Sequence, residues 1–97
     1  MIHVRKVRAE YFEAMKAGKK LFELRHQEPD APDFAAGDYL ALNEWKDERY
    51  TGRCLLARIE YVLRAEDSCC TLRDNCVALG LKPMPLCGED IRAIFKN

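Results

Sequence analysis

Apolar and polar positions alternate over Ile2–Val7, with Ile2, Val4 and Lys6 against His3, Arg5 and Val7. That spacing predicts a short strand. Ala9–Ala17 changes period: Tyr11, Phe12 and Met15 share one side while Glu10, Glu13 and Lys16 lie elsewhere. This predicts a helix, and Gly18 is its left-handed stop. Leu21–Arg25 predicts a second strand, with Lys20, Phe22 and Leu24 facing the core and Leu21, Glu23 and Arg25 facing away. Pro29 and Pro32 make 27–33 a loop.

Phe34–Asp38 predicts a tight turn through Gly37 that opens a strand over Tyr39–Asn43. Trp45–Gly52 reads as a polar turn. Arg53–Leu63 predicts a long strand with Leu55, Ala57, Ile59, Tyr61 and Leu63 on one face. Residues 64–75 are polar, irregular or a short helix, and Cys76–Leu81 predicts a last strand that Pro83 and Pro85 break. Glu89–Lys96 has Ile91, Ile94 and Phe95 at helical spacing, with acids at its positive end. Strands outnumber crossover helices. The expectation is an α+β, mainly β fold: a small mixed, largely antiparallel five- to six-stranded β-barrel with two flanking helices.

The 97 residues fit one domain, 1–97, with a modest core. No apolar run approaches the ~20 residues of a membrane helix, and no signal segment opens the chain, so no membrane partner and a cytoplasmic location are expected. Cys54, Cys69, Cys70, Cys76 and Cys87 form no C-x-x-C pair. They read as reduced thiols, with no metal or other cofactor, and Cys69–Cys70 would be redox-sensitive if exposed. Net charge is zero, which argues against strong sequence-independent DNA binding. The charge is uneven, however: residues 1–25 carry seven basic and three acidic side chains, and residues 26–50 carry two and seven. A local basic surface can attract an anion.

Gly18-Lys19-Lys20-Leu21-Phe22-Glu23-Leu24-Arg25 fits G-x-K-x-x-E-x-R. With the preceding helix and the following Phe34-x-x-Gly37-Asp38 turn, it resembles the ASCH domain of the PUA-like superfamily. Tyr50-Thr51-Gly52-Arg53 and Val77-x-Leu79-Gly80 are similar to short uncharacterised bacterial and phage members, and the resemblance spans about residues 2–81. It implies a PUA-like barrel with a cleft lined by the motif, and binding of RNA or of a nucleotide or nucleoside. Some small members hydrolyse the amide of N4-acetylcytidine with the motif lysine, and they carry threonine where this chain has Glu23. They also use a late glutamate, for which Glu60 and Glu66 are the candidates.

The expected binding residues are Lys20, Glu23, Arg25, Lys19, Trp45 and Arg53, with Lys20 and Glu23 the catalytic pair if chemistry follows. A partly desolvated lysine can act as a base or hold an anion, whereas one that reaches water is inert. Glu23 and Arg25 can read a base edge as acceptor and donor, or stand as an exposed pair. Trp45, Tyr39 and Tyr50 can stack bases or simply pack. His3 and His26 have no evident nucleophile partner. Three readings stay open: an RNA- or nucleotide-binding module, an amidohydrolase of acylated nucleosides, and an interaction module without a small ligand. The default oligomeric state is a monomer.

Overall fold

The computed structural model describes residues 1–67, 72, 73 and 75–84. The helix expected over 89–96 and Cys69, Cys70 and Cys87 lie outside these. Among the described residues five strands form one curled sheet: β1 Ile2–Arg8, β2 Phe22–His26, β3 Tyr39–Lys46, β4 Arg49–Arg64 and β5 Cys76–Met84. The order is β1-β3-β4-β5-β2. β1 runs parallel to β3, and the remaining pairs are antiparallel. The sheet is thus a mainly β half-barrel whose two edges are the strands on either side of α1, Ala9–Lys16.

α1 ends where the sequence predicts. Gly18 adopts φ +75°, and the amides of Lys19 and Lys20 turn back to the Ala14 carbonyl at 2.9 and 3.2 Å. This reversal sends the chain from one sheet edge to the other. Phe12 and Met15 bury one helix side against Val7, Leu40, Leu42, Ile59 and Leu79. Phe34 closes the same core from the loop before β3.

Five expectations change. In β1, His3 and Val7 are buried and Val4 is exposed, the reverse of the simple apolar reading. Asp38 accounts for the buried imidazole by meeting His3 Nε2 at 2.9 Å, so the ring is satisfied where it is buried. In β2, Glu23 is buried at 4% exposure while Phe22 and Leu24 stand at 50% and 61%. Trp45–Gly52 is a β3–β4 hairpin tip: Lys46 pairs with Arg49, and Asp47 and Glu48 take φ +53° and +63°, a type I′ turn. In β4, a register shift between Ile59 and Tyr61 breaks the alternation, so Ile59 is buried and Tyr61 exposed. Pro83 is tolerated inside β5, paired with Ala57.

Candidate functional site

The two edge strands do not join by a ladder. Between them lies a cleft of about 740 Å³, bounded by β1 at Lys6–Arg8, β2 at Phe22–Arg25, and Lys20, Tyr11 and Trp45. The sheet edges supply its walls because β1 and β2 follow one another in sequence yet end on opposite sides of the sheet.

Glu23 is the hub. Its Oε1 accepts from Lys20 Nζ and its Oε2 from Arg25 Nε. Lys20 also donates to the Phe22 carbonyl at 2.9 Å, and Arg25 Nη2 donates to the Lys6 carbonyl at 2.8 Å. This explains the inverted face of β2: a carboxylate with two cationic partners is tolerated inside, where a lone one would not be. Lys20 precedes β2, so strand alternation does not govern it, and its flexible stem carries the ammonium to Glu23. On the outer face, Phe22 pairs with Gly80 and Gly80 with Tyr61, so the two rings flank a residue without a side chain.

Hydrogen-bonding capacity remains. Lys20 has a third N–H, Arg25 has Nη1, and each Glu23 oxygen has a further lone pair. The site therefore offers both cationic donors and a carboxylate acceptor. Aromatic surface lies beside it: Lys20 Nζ is 5.2 Å from the Tyr11 ring centre and 5.0 Å from that of Phe22. Lys6 Nζ sits 4.3 Å from the Trp45 ring centre, a contact worth ~0.5–1 kcal/mol at an exposed site. Tyr50 stands edge-on to Trp45 at 4.8 Å.

Of the residues singled out in the sequence, Lys20, Glu23, Arg25 and Trp45 line the cleft, and Lys19 and Arg53 do not. Lys19 is exposed on the turn after α1. Arg53 is drawn to buried Glu44, meeting it through Nε at 2.8 Å and Nη2 at 2.7 Å, and it also bonds Glu13 and lies over Phe12. With the Thr51 hydroxyl donating as well, these bonds hold the Glu44 carboxyl down at about 2. This second cluster ties α1 to the β3–β4 hairpin. Glu60 and Glu66 are exposed and outside the cleft. Lys6, Arg8 and Tyr11 were not singled out as ligand residues. For Lys6 and Arg8 the signal was the placement of a basic strand next to the motif's edge, and for Tyr11 the seating of α1 between the two edges, which only topology supplies.

Other groups lie apart. Partial burial pushes the Asp38 carboxyl up, but His3 and the N-terminal ammonium outweigh it and leave it below its ordinary value. Cys76 Sγ and His26 Nδ1 approach to 4.0 Å as cross-strand neighbours, at the limit of a sulfur hydrogen bond. A second hollow of about 450 Å³, between α1 and the β4–β5 end, is mostly aliphatic, with Leu55, Leu81 and Met84 in its walls. Among the described residues, no group of three or more His, Cys, Asp or Glu could hold a metal, and no helix is long and apolar enough to cross a membrane.

Comparison with known proteins gives the chain a family and a structural neighbour. An uncharacterised 12.9 kDa protein of Escherichia phage P2, from the region 3′ of GpA, is 38% identical over 66 residues. That stretch covers 68% of this chain and 58% of the phage protein. The crystal structure of the hypothetical protein PH0355 superposes with a TM-score of 0.60 over 87% of this chain and all of that one, at 16% identity, a likeness of fold alone. The family described as Domain of unknown function (DUF3850) matches residues 2–81, which hold all five strands up to Leu81, and the chain belongs to it.

Proposed function

We propose that the β1–β2 cleft binds a nucleotide or a single-stranded RNA segment. The observation that carries this reading is the convergence of Lys20, Glu23 and Arg25 on one hollow, with bonding capacity left on each. A nucleobase edge presents amino donors beside carbonyl acceptors, and a fixed carboxylate flanked by two cations complements such an edge. The rings of Trp45 and Tyr11 provide flat apolar surface for the base. The resemblance of G-x-K-x-x-E-x-R to the ASCH motif supports the same reading.

Binding is favoured over amide hydrolysis. A general base must offer a lone pair to water, and Lys20 is instead engaged as a donor to Glu23 and to the Phe22 carbonyl. Titration with mixed-sequence single-stranded RNA hexamers at about 50 mM and about 200 mM salt tests the reading. Wild type binds, more tightly at the lower salt, and Lys20→Gln weakens binding about tenfold, as the loss of one charged hydrogen bond would. Absence of binding at low salt contradicts it. In parallel, release of cytidine from N4-acetylcytidine by wild type but not by Lys20→Ala would make the site a deacylase.

A further inference from the structure

We infer that Lys6 and Trp45 form a phosphate-sensing subsite: the ligand base displaces the Lys6 ammonium from the indole, and the released ammonium takes the ligand's phosphate. The inference rests on the proposed nucleotide cleft and specifies its ligand as phosphorylated rather than a free nucleoside.

Three observations carry it. First, Lys6 has no anionic partner among the described residues: no carboxylate of theirs lies within ion-pair distance of it, and its ammonium rests over the Trp45 ring. A cation over an exposed ring is a weak contact that a stacking base can replace with a larger one. Second, the Lys6 backbone is held while its side chain is exposed. The carbonyl accepts from Arg25 Nη2 at 2.8 Å, so the ammonium can swing without moving the strand. Third, Arg8 lies two residues along the same strand face, opposite Trp45 in the β1–β3 register. Its guanidinium has a loose 3.9 Å contact with Glu10, with both side chains largely in water. Lys6 and Arg8 thus put two weakly engaged cations on the wall facing the Lys20–Glu23–Arg25 cluster, where Glu23 already occupies the other two. A base on Trp45 would place its sugar-phosphate beside the β1 pair. Base stacking and phosphate pairing are coupled, because one motion of Lys6 serves both.

Trp45 is the single tryptophan of the chain, so its emission reports the event directly. The four nucleosides and their 5′-monophosphates are titrated into wild type, Lys6→Gln and Trp45→Phe at about 50 mM and about 200 mM salt. For wild type, monophosphates quench the emission and bind about tenfold more tightly than nucleosides at low salt. Lys6→Gln abolishes that difference, tightens nucleoside binding about two- to fivefold because no ammonium has to leave the indole, and reduces the salt slope by about one. Trp45→Phe, followed by calorimetry, weakens both ligand classes. Equal affinity of nucleosides and monophosphates, or equal weakening of both by Lys6→Gln, overturns the inference and leaves the cleft reading standing. Failure of every nucleoside, monophosphate and RNA hexamer to bind overturns both. Lys6→Gln changes an exposed side chain, and a wild-type circular dichroism spectrum confirms that the variant is folded.

Discussion

Arg25 on β2 donates from Nη2 to the carbonyl of Lys6 on β1 at 2.8 Å, so one side chain bridges the two edges of the half-barrel. The same guanidinium holds Glu23 through Nε. Seam and candidate site are therefore one structure. Arg25→Ala leaves a buried carboxylate with Lys20 as its one cationic partner among the described residues, and an edge carbonyl without this donor. The expected cost is about 2 kcal/mol in urea denaturation. Arg25→Lys recovers less than half, since an ammonium cannot match the planar fork.

The inverted face of β2 predicts an unusual contrast. Leu24→Ser, at an outward position, changes stability by less than about 0.5 kcal/mol. Glu23→Ala, although it removes a charge, costs about 2–3 kcal/mol because it strands two cations and opens a hollow. Leu79→Ala in the core sets the scale at about 2–5 kcal/mol. Thermal or urea denaturation of the three variants checks the order.

Much of this frame is written in local pattern. The helix period, the Gly18 stop and the Gly37–Asp38 turn each act within a few residues, and each falls where expected. What local pattern misses is phase. In β2, alternation alone puts Phe22 and Leu24 inside, and only the arrival of Lys20 and Arg25 around Glu23 reverses it. In β4 the shift near Glu60 turns Tyr61 out, which an uninterrupted period of two cannot show. The motif named Lys20, Glu23 and Arg25, but Lys6 and Arg8 join them through strand order. Arg53 went the other way because the buried acceptor that claims it, Glu44, falls between the strand expected over Tyr39–Asn43 and the turn expected from Trp45, whereas β3 runs on through it to Lys46.

Glu44 predicts an acid limb of stability. Its carboxyl is held at about 2 in the fold by Arg53 and Thr51, against about 4.3 in an unfolded chain. Below the unfolded value the unfolded state binds more protons, so stability is full above about pH 4.3 and falls as pH drops toward about 2. Asp38, also lowered, adds in the same direction. Urea midpoints measured from pH 6 to pH 2 should fall along this limb. Glu44→Gln should flatten it while lowering stability at neutral pH.

The hairpin tip offers a gain. Glu48 has φ +63°, a conformation that costs a residue with a Cβ about 1 kcal/mol and glycine almost nothing. Glu48→Gly, giving the Asp-Gly sequence a type I′ turn favours, should raise stability by about 1 kcal/mol. The thermal midpoint should rise by about 4–8 °C, readable by calorimetry.

The most direct test of the central claim is a map of where a ligand lands: an amide NMR titration of the 15N-labelled chain with a mixed-sequence single-stranded RNA hexamer at low salt. Binding in the seam between the sheet edges predicts shifts concentrated at Lys6–Arg8, Lys20–Arg25 and Trp45, with the Glu44–Arg53 cluster and the outer face of β5 unmoved. Unchanged spectra at saturating RNA, or shifts confined to other surfaces, would contradict the account.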